Sequence, residues 1–111
     1  MFESTPTLRS SVAPVFTTRP QDATVDADSP PVEVNFSCRA EGTPGPTYIW
    51  RKGNSSINFH SSQYQLRDDG RELVIQPPFN DGVSGKYTCI VFNSVGSAEA
   101  SAVLQIINQG G

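Results

Sequence analysis

Side chains capable of acid–base, nucleophilic or metal chemistry are few in this sequence and widely spaced. His60 is the only histidine and stands in a serine-rich segment, while Asp68 and Asp69 are adjacent carboxylates followed by a glycine. Catalysis and metal binding both need several such groups to converge on one point. We interpret His60 as a solvated loop residue and the two aspartates as part of a turn. The sequence therefore predicts neither an enzyme nor a metal site, and it implies no cofactor.

Two cysteines, Cys38 and Cys89, are the other reactive side chains. In an oxidising compartment, a disulfide between them would close a loop of about 50 residues, worth ~4 kcal/mol in the chain-entropy model. The alternative is a pair of reduced thiols packed as small apolar side chains. Considered by themselves, the two residues leave both alternatives open.

Charge and hydropathy exclude two classes of partner. The 111 residues carry 8 basic and 11 acidic side chains, so no basic stripe is present to neutralise nucleic-acid phosphates or anionic lipid. The longest apolar runs, such as residues 89–92, are far shorter than the roughly 18 residues that span a bilayer. Residues 1–6 do not resemble a signal peptide, so we expect that an extracellular protein with this sequence is part of a longer chain.

One stretch shows the strictest alternation of apolar and polar residues in the chain. Its apolar positions are Val32, Val34, Phe36, Cys38 and Ala40, and polar residues separate them. A period of two predicts a strand with one face in the core and the other in water. We therefore expect Cys38 to lie in a core lined by a β-sheet.

A second strand is predicted over residues 47–52, with Tyr48 and Trp50 facing inward and Ile49 and Arg51 facing outward. Further strands are predicted over residues 14–19, 23–25, 64–67, 72–75, 86–92 and 97–107, with a weak one around Ile57 and Phe59. Turn residues separate the last two strands at residues 93–96, where Gly96 can adopt a positive φ at low cost. Strands without helices indicate an all-β fold.

Five residues resemble, in type and spacing, the signature of immunoglobulin (Ig) domains. They are Cys38, Trp50, Leu73, Tyr87 and Cys89, with Tyr87 two residues before the second cysteine. The resemblance is to I-set domains, which occur in neural cell-adhesion receptors such as contactins, Dscams, sidekicks and receptor tyrosine phosphatases, and in titin-like muscle proteins. It implies an immunoglobulin-like Greek-key sandwich of two antiparallel sheets over residues 14–107. Residues 1–13 and 108–111 are then linkers.

The same resemblance implies a role for each signature residue. Cys38 and Cys89 would form a disulfide across the sheets, with Trp50 packed on it, Leu73 in the core and Tyr87 as a tyrosine corner. The disulfide and the receptor resemblance imply an extracellular recognition domain, flanked by further Ig or fibronectin-type domains. With reduced cysteines, the alternative is a cytoplasmic module of a muscle or cytoskeletal scaffold that acts as a spacer or docking unit.

One position departs from the pattern that these domains usually show. The family commonly carries an aspartate two residues before the glycine of the tyrosine-corner motif, where it pairs with an arginine, but this chain has Val83 there. Arg67 or Arg71 would then lack its carboxylate partner, unless Asp81 or Asp69 replaces it. A partly exposed ion pair contributes only ~0–1 kcal/mol, so we expect the fold to tolerate the change.

Two N-glycosylation sequons begin at Asn35 and Asn54. Asn35 has the outward parity of its strand, and Asn54 falls in a turn. Both could accept a glycan without disturbing the core. We therefore regard both as candidate glycosylation sites of a secreted glycoprotein.

In the lettering of Ig folds, residues 47–52, 86–92 and 97–107 are strands C, F and G of one sheet. The outward positions of this C-F-G face are Ile49, Arg51, Thr88, Ile90, Phe92 and Val103, with Ile57 and Phe59 nearby. Contiguous apolar patches often mark interaction sites. We hypothesise that the face binds another protein, homophilically or heterophilically, with Ile49, Ile90 and Phe92 as anchors and Arg51 as a polar partner. The alternative is that neighbouring side chains or an adjacent domain shield these residues.

Overall fold

The computed structural model describes residues 11–107, and every regular element in that part of the chain is a β-strand. In chain order the strands are β1 (Val12–Thr18), β2 (Ala23–Asp26), β3 (Val34–Ser37), β4 (Arg39–Thr43), β5 (Thr47–Lys52), β6 (Ser55–Ser56), β7 (Tyr64–Arg67), β8 (Glu72–Ile75), β9 (Gly85–Asn93) and β10 (Gly96–Ile107). Most of the first expected linker and all of the second lie outside the described residues. Within residues 11–107, no helix is long and apolar enough to cross a membrane. The prediction of an all-β fold is confirmed.

The strands form two layers around one core. One layer is a five-stranded sheet in the order β2-β10-β9-β5-β6, and the other contains β3-β8-β7. Only Cys38 separates β3 from β4, and β4 pairs with β1, so these two strands continue the second layer. All pairings are antiparallel except that of β2 with β10, which is parallel. The expected sandwich therefore includes one parallel pair that period-two patterning could not show.

The strand with the strictest alternation is shorter at its start than expected. Phe36 and Cys38 are buried, as their parity predicted, but Val32 is 86% exposed. The prediction of Val32 as a core residue is therefore wrong. The reason is that β3 begins at Val34, which pairs with Ile75, the last residue of β8. Val32 thus lies beyond the sheet, with no facing strand to cover it.

A disulfide between Cys38 and Cys89 joins the two layers, with a sulfur–sulfur distance of 2.01 Å. The predicted disulfide is confirmed. Trp50 is the cross-strand neighbour of Cys89 and is buried. Its indole N–H donates a hydrogen bond of 2.8 Å to the carbonyl oxygen of Gly70, which satisfies the one polar atom of this large apolar side chain.

Tyr87 is fully buried, and its hydroxyl donates a hydrogen bond of 2.6 Å to the carbonyl oxygen of Val83. The hydroxyl of Tyr64 lies 3.1 Å from that of Tyr87. Leu73 is fully buried opposite Phe36. These contacts hold the crossover between the two layers against the core at the start of β9.

The segment after β5 differs from the expected strand around Ile57 and Phe59. The only strand there, β6, has two residues and ends at Ser56. Ile57 is 9% exposed and belongs to the core cluster. With so short an edge strand, no pleat continues to direct Ile57 outward, and its apolar side chain is buried instead. Ile57 is therefore not part of the C-F-G face.

The loops at one end of the sandwich are tied together by the side chain of Asn93. Its amide nitrogen donates to the carbonyl oxygens of Val12 and Pro44, at 2.7 and 3.0 Å. Its amide oxygen accepts from the backbone N–H groups of Val95 and Gly96, at 3.0 and 3.1 Å. One amide therefore joins the start of β1, the loop before β5 and the β9–β10 turn.

Gly96 serves this turn in a different way from the one expected. Positive φ angles occur at other glycines of the described chain, namely Gly53, Gly70 and Gly85. A Cβ atom at Gly96 would instead lie 2.9 Å from the Cβ of Ala13. The close approach of β1, rather than a left-handed backbone, requires glycine at this position.

A candidate protein-binding face on the five-stranded sheet

The register of β5 and β9 places three predicted anchors side by side. Ile49 pairs with Ile90, and Phe92 pairs with Thr47 one step further along the same face. Ile49 is 42% exposed, Phe92 is 36% exposed, and Ile90 is half-buried between them. Cross-strand neighbours on one face have Cβ atoms about 5 Å apart, so these side chains form one small apolar surface.

The apolar surface is smaller than the sequence suggested. Thr88 was expected to point into solvent, but it is 7% exposed, and its hydroxyl lies 2.8 Å from that of Ser101. Val103 is exposed but pairs with Lys86, towards the opposite end of the face from Phe92. The contiguous apolar part of the C-F-G face therefore consists of Ile49, Ile90 and Phe92.

Beside this apolar surface lies an open depression of about 280 Å³. Its lining residues are Arg51, Gly53, Asn54, Lys86, Thr88, Ile90 and Glu99. Ile90 contributes to both the apolar surface and the depression, so the two features are continuous. The predicted polar partner, Arg51, lies at the depression, opposite Thr88 in the strand register.

Charges are distributed differently on the two layers. The ion pairs of the second layer join Arg39 to Asp68, Arg67 to Glu33, and Arg71 to both Asp68 and Asp69. On the C-F-G face, by contrast, Arg51, Lys86 and Glu99 form no ion pair with any residue in 11–107. The arginines of these ion pairs in the second layer are thus neutralised by nearby carboxylates. The C-F-G face instead presents charged groups without ion pairs beside apolar side chains.

The valine that departs from the family pattern is buried in the core. Neither Asp81 nor Asp69 replaces the missing carboxylate for Arg67. Instead, Arg67 forms a two-pronged hydrogen bond with Glu33, at 2.9 and 3.2 Å. The hydrogen bonds from Arg67 hold the pKa of Glu33 below its usual value of 4.5. For Arg71 the expected substitution by Asp69 is present: the Asp69 carboxylate lies 3.6 Å from the guanidinium, and that of Asp68 lies 3.5 Å from it.

A protein-family model described as "Immunoglobulin I-set domain" matches residues 14–106. The chain belongs to the immunoglobulin I-set family. Its disulfide, buried tryptophan and tyrosine hydrogen bond all lie within the matched residues.

Roundabout and contactin proteins and a titin domain are among the relatives of this I-set domain. Roundabout homolog 1 of Rattus norvegicus is 38% identical over 93 residues, which cover 84% of this chain and 5% of that protein. Contactin-6 of the same species is 38% identical over 84 residues, which cover 76% of this chain and 8% of that protein. In structure, titin domain M7 matches with a TM-score of 0.75 and 38% identity, covering 89% of this chain and 98% of that domain. The chain thus spans less than a tenth of the length of these curated relatives.

The two sequons of the I-set domain lie on opposite layers. Asn35 is on β3, exposed, and its amide donates a hydrogen bond of 2.9 Å to Glu72. Asn54 is exposed in the turn between β5 and β6 and lines the depression of the C-F-G face. The sequence identified both positions, with Asn35 on an outward strand position and Asn54 in a turn, but it did not show that Asn54 borders the candidate binding surface.

The remaining reactive groups do not converge within the described residues. His60 is exposed, and its backbone N–H donates to the side chain of Asn58. In residues 11–107 no group of three or more His, Cys, Asp or Glu side chains is arranged to hold a metal ion. Both cysteines are committed to the disulfide. I-set domains of adhesion proteins are typically non-catalytic, which agrees with the expectation from the sequence.

Proposed function

We propose that this I-set domain is a non-catalytic recognition module of a multidomain cell-surface receptor or adhesion protein. It acts outside the cell, next to further Ig or fibronectin-type domains, and binds a protein partner through the C-F-G face. The partner is either a second copy of the domain or a different protein. The similarity to Roundabout and contactin proteins supports the receptor assignment.

The observation that carries the binding proposal is the combination of exposed apolar anchors with free charges on one face. Ile49 and Phe92 are among the exposed large apolar side chains, and both are held on regular strands. Aromatic and arginine side chains dominate the binding energy of protein interfaces, and Phe92 and Arg51 are of these types. An apolar centre bordered by charged groups is the usual anatomy of such a surface.

The test is a Phe92→Asp variant, because a carboxylate at an apolar anchor costs free energy when the interface is dry. The purified domain is coupled to beads, and bead aggregation and binding to a panel of cultured cells are measured. We expect Phe92→Asp to reduce one of these signals at least tenfold, about 1.4 kcal/mol or more. Val32→Asp is the matched control, because Val32 is more exposed and lies outside the face.

Folding of both variants is checked by circular dichroism and thermal unfolding. If a folded Phe92→Asp variant aggregates beads and binds cells as well as the wild type does, the C-F-G face is not the binding surface. The same conclusion follows if Val32→Asp lowers the signals as much as Phe92→Asp.

The second candidate is a cytoplasmic Ig module of a muscle or cytoskeletal scaffold, which the likeness to titin domain M7 favours. In that role the domain is a spacer or docking unit in a reducing compartment, where its two cysteines remain thiols. A thiol count on unreduced, denatured protein isolated from its native cells distinguishes the two. Absence of free thiols supports the extracellular receptor, while two free thiols per chain support the scaffold.

A further inference from the structure

We infer that Asn54 is an N-glycan acceptor whose glycan covers the depression of the C-F-G face and thereby controls access to that face. The inference rests on the proposed function for its extracellular setting and for the role of the face in binding. It adds a regulation of the same surface, since glycosylated and unglycosylated domains then present different faces.

The position of Asn54 meets the requirements of an acceptor. It lies in the tight turn between β5 and β6, next to Gly53, whose φ of 59° lets the chain reverse. Its side chain is exposed and makes no hydrogen bond within residues 11–107. The amide nitrogen is therefore free to carry a sugar without losing a structural contact.

The same turn directs the side chain towards the candidate binding surface. Asn54 lines the depression together with Arg51, Lys86 and Ile90. A glycan is bulky and strongly hydrated, so one attached here lies over the free cations and beside an apolar anchor. A protein partner that approaches Ile90 and Arg51 then has to displace it.

Asn35 provides an internal comparison. It lies on β3 in the opposite layer, where its amide donates to Glu72. A glycan at Asn35 projects from the layer whose cations are already neutralised, away from the C-F-G face. Glycans at the two sequons therefore have different consequences for the same surface.

The two lysines of the chain allow a direct measurement of this cover. Lys86 lines the depression, whereas Lys52 has the opposite strand parity, with its ammonium group near Gly85. Acetylation of lysine by an N-hydroxysuccinimide ester depends on access to the amine. A glycan at Asn54 slows the reaction at Lys86 and leaves that at Lys52 unchanged.

The domain is produced in mammalian secretory cells as wild type, Ser56→Ala and Asn35→Gln. Ser56→Ala destroys the sequon but keeps Asn54, and Asn54→Gln serves as the second variant that removes the same glycan. Glycopeptide mass spectrometry measures occupancy, and the acetylation rates of Lys86 and Lys52 are measured on the folded proteins. We expect Asn54 to be occupied, and Lys86 to react several-fold faster in Ser56→Ala and Asn54→Gln than in wild type or Asn35→Gln.

Two results overturn the inference: an unoccupied Asn54, or an occupied one with equal Lys86 rates in wild type and Ser56→Ala. The role in binding is measured separately, with Ser56→Ala and Ser56→Ala/Phe92→Asp in the bead and cell assays. Stronger binding by Ser56→Ala that is lost on adding Phe92→Asp supports the inference. If Lys86 is protected but Phe92→Asp has no effect in either background, the glycan at Asn54 does shield the depression. The proposed binding function of the C-F-G face is then wrong.

Discussion

Replacing Tyr87 with phenylalanine tests whether the hydrogen bond to Val83 stabilises the domain as the geometry requires. The hydroxyl of Tyr87 donates to the Val83 carbonyl oxygen at 2.6 Å, in a buried setting. Because that hydrogen is already used, the hydroxyl of Tyr64, 3.1 Å away, has to donate to the oxygen of Tyr87. The two tyrosines and the carbonyl therefore form a directed chain of hydrogen bonds.

The magnitude follows from what each truncation leaves behind. Tyr87→Phe leaves the carbonyl of the buried Val83 without its donor, and an unsatisfied buried acceptor costs about 1–3 kcal/mol. Tyr64→Phe removes only the outer link, and its ring is half-buried, so it costs about 0.5–1 kcal/mol. With an m-value of about 1–2 kcal/mol/M, a loss of about 2 kcal/mol lowers the urea midpoint by about 1–2 M.

Urea unfolding followed by the fluorescence of Trp50, the only tryptophan, measures both variants and the double variant. Tyr64→Phe is the matched control, because it removes the same atom from the same chain of hydrogen bonds. The reasoning is refuted if Tyr87→Phe is no more destabilising than Tyr64→Phe, or if the two effects add without coupling. The first result means that the Val83 carbonyl does not depend on the Tyr87 hydroxyl, and the second means that the two hydroxyls do not form a linked chain.

The effect of Tyr87→Phe on the unfolding free energy should also depend on pH in the alkaline range. Burial raises the pKa of the Tyr87 hydroxyl well above its usual value of 10.0, because the charged phenolate is disfavoured away from water. The unfolded chain therefore releases this proton at a lower pH than the folded domain does. The stabilisation is complete below about pH 10 and declines above it. We expect the difference in unfolding free energy between wild type and Tyr87→Phe to shrink when the urea series is repeated above pH 10.

Two further predictions concern the disulfide and the ion pair that replaces the usual family contact. Cys38→Ala/Cys89→Ala should lower the unfolding free energy by about 4 kcal/mol in the chain-entropy account, measured in urea at neutral pH, and a loss below about 1 kcal/mol contradicts that account. Glu33→Gln should destabilise the domain at neutral pH. Because the pKa of Glu33 is lowered in the folded state, its contribution is present above pH 4.5 and is lost as the pH falls further, so thermal unfolding of the variant should depend less on pH below that value. Glu41→Gln, at an exposed carboxylate without an ion pair in residues 11–107, is the control and should match wild type.

Strand parity predicted the candidate face where long strands pair with each other inside the sheet. β5 and β9 lie inside the five-stranded sheet, so their alternation directs Ile49 and Phe92 outward as expected. Parity failed at strand ends: Val32 lies beyond the last pair of β3, and Ile57 follows an edge strand of two residues. Local sequence does not specify where a partner strand ends. Strand parity predicts the direction of a side chain only where a partner strand is paired.

Contacts between distant segments could not be predicted from the sequence, for a different reason. The pairing of Arg67 with Glu33 requires the register of three strands, β3, β8 and β7, to be known at once. Asn93 looked like an ordinary turn residue, yet its amide reaches two other segments. Spacing along the chain cannot show such contacts, because each depends on how separate elements come together in three dimensions.

The parallel pairing of β2 with β10 determines how the domain bears mechanical load. β2 is the second strand of the described chain and β10 is the last, and four consecutive residue pairs join them, from Ala23 with Leu104 to Asp26 with Ile107. Since both strands run in the same direction, tension pulling the two chain ends apart slides one along the other. The hydrogen bonds between them then share the force at once instead of opening one after another. The candidate binding face lies on β5 and β9, so neither strand of this parallel pair contributes its anchors.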